Sequence, residues 1–332
     1  MRTIRIGLLS KPRGNFAIQR CFAGTAEVHD TTADEVAHHR QALLAAGYPV
    51  LEIPWDDRII QRLAEAEIDL AFNVSSMVEA ALLEELDIPY VGSDVYTIAL
   101  ATDKSLAKRL WQQAGLPTSP FIVACTIDDC LPFSEDPPFS YPLFIKPVAG
   151  RGSAGIDVDS VVEDYAALVA GVQRRLATIG QPVLIEQFIQ GREITLGIVG
   201  NGATARVLPA LEICYREGDR TLTFDKKERD DDAFECPAPL DDATRTQMRD
   251  LALAAYRTLG FKDFGRIDTI LTPEGPFLLE GNTFAGLTTT PADKPHAYIG
   301  FMARAEGMGG RELLDEIVQA AVMRLGLEGS AQ

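Results

Sequence analysis

The chain is poor in the residues that usually do nucleophilic or soft-metal chemistry: 332 residues contain four histidines and five cysteines. Cys21, Cys125, Cys130, Cys214 and Cys236 are odd in number and scattered, with no metal-ligand spacing. They read as reduced thiols, and neither a disulfide framework nor a catalytic cysteine is indicated. His38 and His39 fall on a helix, His29 and His296 have no nameable partner, and no serine-histidine or cysteine-histidine arrangement emerges. Positive charge is also in deficit: 31 Lys and Arg against 48 Asp and Glu leave a net charge of -17. That balance argues against a generic nucleic-acid or anionic-membrane surface. No apolar run approaches the length of a membrane span, and the opening MRTIRIGLLS turns polar too soon for a signal peptide, so a cytoplasmic protein is expected.

What is present is an ordinary enzyme-like mixture, 46% apolar and 24% charged, in a chain long enough for two or three compact units. In the first hundred residues, apolar segments 4–9, 50–53, 69–74 and 89–91 alternate with helical patterns at 33–46, 57–66 and 78–86. This predicts an α/β unit, doubly wound about a parallel sheet. Ligands gather at the carboxyl ends of such strands, here 10–15, 73–76 and 92–93, although each reads equally well as a connecting loop.

A helix over 102–114 carries Asp103, Lys104 and Lys108 and is stopped by GLPTSP; lysines there either face water or serve a site. The Asp- and Pro-rich stretch 126–141 reads as a surface loop. A strand over 142–146 ends in Lys146 and enters Pro147-Val-Ala-Gly-Arg-Gly-Ser-Ala-Gly155, whose glycines and serine could let backbone N–H groups cradle phosphate. Its spacing matches neither a Walker A loop nor a dinucleotide fingerprint. After a helix over 162–176, the strand 182–186 ends in Glu186, followed by Gln187, Phe188, Ile189 and, on a new strand, Glu193. Linker and Glu193 could bracket a base and a sugar, or the two glutamates could simply be exposed.

The most informative stretch is GRIDTILTPEGPFLLEGNT, two alternating strands, 265–271 and 277–282, around a Thr-Pro-Glu-Gly-Pro turn. With 272–276 as the loop, Leu271 pairs with Phe277, placing Asp268 opposite Glu280 and Arg266 opposite Asn282, all on one face. Opposed carboxylates ask for a cation, and two carboxylates with an amide oxygen suit magnesium. A solvated, charged hairpin face is the alternative.

Taken in order, IPYVGSDVYTIALATDKSLAKRLWQQAGLPTSPF, PLFIKPVAGRGSAGI, VLIEQFIQGREITLGI and GRIDTILTPEGPFLLEGNTFAGLT resemble the ATP-grasp superfamily, closest to its D-alanine:D-alanine ligase branch, over 88–325. The resemblance implies an ATP-grasp fold, α+β overall: an N-terminal α/β domain (1–101) and two mixed-sheet domains (102–190 and 191–332) clasping ATP. It implies that Lys104 and Lys146 contact ATP phosphates, that Gly152 and Ser153 lie in a loop closing over them, that Glu186, Gln187, Phe188 and Ile189 meet adenine, and that Glu193 meets ribose. Asp268, Glu280 and Asn282 would hold two magnesium ions, with manganese a possible substitute. Arg266 and the Gly286 N–H would stabilise the oxyanion, and Lys226, in a closing loop over 216–235, would reach the terminal phosphate. The partners implied are a small carboxylate and an amine, free or carrier-bound, and a homodimer is plausible.

The departures fall on the substrate side. No acidic residue follows the first strand (SKPRGNFAIQRC), and FNVSSMVEA replaces the His-Gly and Glu-Asp-Gly motif, with Glu79 and Glu84 as stand-ins. Thr223 replaces the closing-loop tyrosine, and Pro291-Ala292 replace the Ser-Leu pair that receives the second carboxylate. The sequence therefore favours an ATP-dependent carboxylate-amine ligase of a specialised pathway. Its alternatives are authentic D-alanine:D-alanine ligation and a non-catalytic ATP-binding protein.

Overall fold

The structure is a computed structural model and describes residues 4–10, 33–72, 74–150, 155–215, 233–289 and 297–327. The first strands are short apolar runs: β1 (Ile6–Ser10), β2 (Val50–Pro54) and β3 (Leu70–Phe72) form a parallel sheet in the order β2-β1-β3, in which β1 and β3 are buried and the edge strand β2 buries only Ile53. Helices α1 (Ala33–Ala45), α2 (Ile59–Glu65) and α3 (Met77–Glu85) return the chain between them. The expected strand at 89–91 is reduced to a bridge between Ala71 and Tyr90.

The helix expected over 102–114 is present, and a further helix precedes it. Asp103 ends α4 (Val95–Thr102) with extended backbone angles, and its carboxylate accepts from the N–H groups of Ser105 and Leu106 to cap α5 (Lys104–Gln113). α5 closes at Gly115, φ +71°, with Gly115 and Leu116 donating back to Gln112 and Trp111. Strand β4 (Phe121–Ala124) follows, and Ile127–Phe133, expected as loop, is a 3-10 helix.

Strand β5 (Leu143–Pro147), the short β6 (Val161–Val162) and β7 (Val183–Gln187) join β4 in a four-stranded antiparallel sheet ordered β4-β7-β5-β6, packed on α6 (Tyr165–Ile179). The last sheet contains β8 (Arg192–Val199), β9 (Arg206–Val207), β10 (Leu211–Cys214), β11 (Ala233–Glu235), β12 (Phe264–Thr272) and β13 (Gly275–Asn282). Its order is β11-β10-β8-β12-β13, with β9 pairing β8, and α7 (Asp242–Leu259) covers one face.

Helices α8 (Tyr298–Ala305) and α9 (Gly310–Leu325) then bring the chain back to its beginning. Ile299, Leu314 and Ile317 share one apolar core with Ile6, Leu8 and Leu43, and Tyr48 Oη donates to Asp315 at 2.5 Å. The first sheet is thus held by the last helices. No helix among the described residues is long and apolar enough to cross a membrane.

Candidate active site

The hairpin β12-β13 has a two-residue tip, Pro273-Glu274, with Thr272 paired to Gly275 and Leu271 to Pro276. The predicted five-residue loop is therefore too long, and Phe277 pairs with Ile270 instead of Leu271. A bulge between Asp268 and Thr269, with Leu279 as the extra residue on β13, removes the offset. Asp268 faces Glu280 and Arg266 faces Asn282, as the sequence predicts, by a different route.

Arg266 grips Asp268 with two bonds of 2.8 Å, Nε to Oδ1 and a terminal nitrogen to Oδ2. Its guanidinium lies 5.1 Å from the ring centroid of Tyr298, the first residue of α8. Burial works against the charge, but Asp268 outweighs it and holds the guanidinium above its ordinary pKa. Thr195 on β8 donates its hydroxyl to Asp268, and the Asn282 amide donates to Asp268 Oδ2 at 2.9 Å and to Glu280 Oε1 at 3.4 Å.

Opposite them stands Lys104 at the start of α5, buried, with Nζ donating to Gly150 O at 2.8 Å and lying 3.6 Å from Glu280 Oε2. Burial lowers its pKa, and Glu280 pulls the other way. Lys104, Gly150, Glu280, Asn282 and Phe284 line a small cleft.

Deeper in the four-stranded sheet, Glu186 sits between two cations: Lys146 Nζ at 2.7 Å from Oε1 and Lys108 Nζ at 2.8 Å from Oε2. Burial would raise its pKa, but the two lysines override this and bring it down to about 2. Lys146, against its own burial, is held above its ordinary pKa by Glu186. Gln187, the last residue of β7, and Phe188 and Ile189 on the linker to β8 are half-buried, and Phe188 donates its N–H to Pro142 O at 3.0 Å. Glu193, near the start of β8, accepts from the Tyr215 hydroxyl.

Gly286 lies on the stretch after β13, and its carbonyl accepts from the N–H of Gly300 on α8 at 3.3 Å. A Cβ at Gly300 would come 1.9 Å from Thr288 O, so only glycine lets α8 support this stretch at such close range. Of the expected substitutes in the first unit, Glu79 is buried and caps α3 through the N–H groups of Ser75 and Ser76. Glu84 accepts from the Tyr90 hydroxyl at 2.7 Å and from Val95 N–H at 3.0 Å.

The structure thus lines the cleft with Lys104, Glu280 and Asn282, holds Asp268 and Arg266 behind them through the Asn282 amide, and sets the buried pair Lys146 and Glu186 within electrostatic reach of Lys104 and Glu280. Gly152, Ser153 and Lys226 lie outside the described residues, as do Pro291-Ala292, Thr223, His29, His296 and most of the 216–235 loop. The last residues of that loop, Ala233–Glu235, form β11. Sequence reasoning gave no role to Lys108, Thr195, Tyr215, Tyr298 or Gly300. Lys108 lies four residues after Lys104 on the same helix, a spacing that places it on the face of Lys104 without indicating burial.

Among the described residues, no three His, Cys, Asp or Glu side chains converge as a metal cluster. The donor set is two carboxylates and an amide whose oxygen and nitrogen are interchangeable by a flip, a hard-oxygen set that fits magnesium.

Residues 110–319 match the family described as D-ala D-ala ligase C-terminus. A D-alanine-D-alanine ligase of Bordetella petrii is 34% identical over 299 residues, covering 86% of each chain, and one of Bordetella avium is 36% identical over 256 residues, 76% of each. The chain belongs to the D-alanine-D-alanine ligase family. It is accordingly an ATP-grasp enzyme, an ATP-dependent ligase that forms carbon-nitrogen bonds. The fold agrees: D-alanine-D-alanine ligase from Bacillus anthracis, complexed with ATP, superposes with a TM-score of 0.72 at 20% identity, covering 98% of this chain and all of the other. VanG D-Ala:D-Ser ligase from Enterococcus faecalis gives 0.72 at 20% identity, covering 97% of this chain and all of the other.

Proposed function

We propose that this enzyme joins two molecules of D-alanine. The observation that carries this reading is the 34% identity to a D-alanine-D-alanine ligase over 86% of both chains, which includes much of the N-terminal unit as well as the ATP-binding part. It supports this reading better than the specialised-pathway one favoured by the sequence motifs alone.

In this reading Lys104 and Lys146 face the ATP phosphates, with Gly152, Ser153 and Lys226 contributing from the phosphate loop and closing loop. Gln187, Phe188 and Ile189 meet adenine at the inner end marked by Glu186, and Glu193 binds ribose. Asp268, Glu280 and Asn282 would hold magnesium, two ions as in the resemblance, which when bound neutralises phosphate charge. One substrate carboxylate attacks the γ-phosphorus, giving an acyl phosphate and ADP. The amine of the second attacks the acyl carbon. Arg266 and the Gly286 N–H carry the oxyanion until phosphate leaves and the amide remains.

The test is ADP and phosphate release with Mg-ATP over a matrix of D- and L-amino acids, with mass spectrometry of every positive well. The expected product is D-alanyl-D-alanine, lighter by one water than its two substrates. Preference for another pair would overturn the substrate and favour the second reading, a ligase with a different acceptor. Pro291-Ala292, where the family carries Ser-Leu, is the observation behind that second reading.

A further inference from the structure

Lys108 has no part in the chemistry above, yet it is wholly buried beside it. Its Nζ lies 2.8 Å from Glu186 Oε2, 2.7 Å from Thr118 Oγ1 and 2.8 Å from Ser119 Oγ. The two hydroxyls are already committed as donors: Thr118 to the carbonyl of Leu278 at 2.8 Å, Ser119 to Glu186 Oε2 at 2.9 Å. Each can therefore only accept from Lys108, and the carboxylate can only accept. Three acceptors require three N–H donors, so the group is an ammonium despite the burial that pulls its pKa down. With all three donors spent inside the protein, it has none left for a phosphate.

The two hydroxyls lead to the two sides of the cleft. Through Ser119 and Glu186 the network reaches Lys146, whose Nζ is 2.7 Å from Glu186 Oε1. Through Thr118 it reaches β13 at Leu278, whose N–H donates to Pro117 O at 2.8 Å; Thr118 and Leu278 form a parallel bridge there. Leu278 immediately precedes the bulge residue Leu279, and the bulge is what sets Glu280 opposite Asp268.

We propose that Lys108 is a positioning residue that fixes the spacing between the phosphate-facing Lys146 and the carboxylate strand β13, by gripping the four-stranded and six-stranded sheets at once. The inference rests on the nucleotide-site reading. It adds that the two sides are set by separable arms, Ser119 for the lysine side and Thr118 for the carboxylate side.

Removing the lysine itself would leave Glu186 buried with a single cation, Lys146, and threatens folding, so the test uses the two hydroxyls in the full-length enzyme. ATP affinity is measured without divalent ions, the Mg²⁺ concentration for half-maximal turnover is titrated, and thermal stability is followed in parallel. Thr118→Val should raise the Mg²⁺ requirement about three- to ten-fold, the effect of one lost hydrogen bond, with ATP affinity within about two-fold of the parent. Ser119→Ala should do the reverse, weakening ATP about three- to ten-fold with the Mg²⁺ requirement unchanged. Equal effects of both variants on both readouts, or a change in melting temperature alone, would overturn the separable-arm proposal. Failure of the unmodified enzyme to bind ATP at all would overturn the nucleotide-site reading together with it.

Discussion

Two buried aspartates, Asp263 just before β12 and Asp268 midway along it, each face an arginine with two bonds, yet they do different work. Asp263 is fully enclosed and adopts φ +63°. Its oxygens accept from Arg324 at 2.9 and 2.6 Å, from the Asn201 amide at 2.9 Å and from Gly92 N–H at 2.8 Å. Arg324 also donates to Tyr90 O. Those partners come from the first unit, the six-stranded sheet and the last helix, so Asp263 ties three parts of the chain together. Asp268 draws its arginine from two residues away on its own strand, beside a second carboxylate, Glu280, that is 30% exposed on the cleft and stands 3.6 Å from Lys104. An arginine-aspartate fork alone does not mark a site. The adjoining carboxylate, exposed on the cleft, does.

The comparison breaks if the two aspartates respond alike. Asp263→Ala leaves the half-buried Arg324 charge, the Gly92 N–H and the Asn201 amide without their acceptor and should cost about 3–5 kcal/mol in a denaturant titration, while turnover per folded molecule stays near the parent's. Lost turnover at unchanged stability would put Asp263 in the site. Glu186 sharpens the contrast from the other direction, since it is enclosed like Asp263 but lies beneath the site. Its folded pKa, about 2, is below its ordinary 4.5, so its contribution is fully present above pH 4.5 and fades as pH falls toward 2. That depression corresponds to about 3 kcal/mol at neutral pH. Glu186→Gln should therefore flatten the acid limb of the stability curve between about pH 4.5 and 2, and an unchanged limb would show that other carboxylates dominate it.

On the open side, Glu280→Gln should lower kcat on the order of a hundred-fold or more with the melting temperature nearly unchanged, because it removes an anionic donor from the cleft and not a contact from the core. Turnover at the parent level would sink the metal assignment.

Much of this was legible in the sequence, for local reasons. Alternation located β12 and β13, and the pairing of Asp268 with Glu280 came out right although the turn was misjudged, because the bulge at Leu279 restores the register the count assumed. The break between α4 and α5 had a signal in Asp103, a capping residue read as helix interior. The burial of Lys108 had none, since a lysine on an amphipathic helix reads as solvated until Thr118, Ser119 and Glu186 are brought around it by the tertiary fold. Tyr48 meeting Asp315, and Gly300 admitting the Thr288 carbonyl, are likewise contacts between segments that no periodicity connects.

The finest test lies within the Asp268 fork itself. Arg266 presents a planar pair of donors to Asp268 and a flat face to Tyr298, so lysine keeps the charge but loses both geometries. If Arg266 meets the developing oxyanion, Arg266→Lys should lower kcat about ten-fold, roughly one transition-state hydrogen bond to a charged group. ATP affinity should stay within about two-fold, since the ground-state nucleotide gains nothing from the fork. Equal losses in kcat and ATP affinity would mean that Arg266 shapes the nucleotide cleft through Asp268. In that case the oxyanion would have to rest on Gly286 and its neighbours, and the stretch supported by Gly300 would become the place to look.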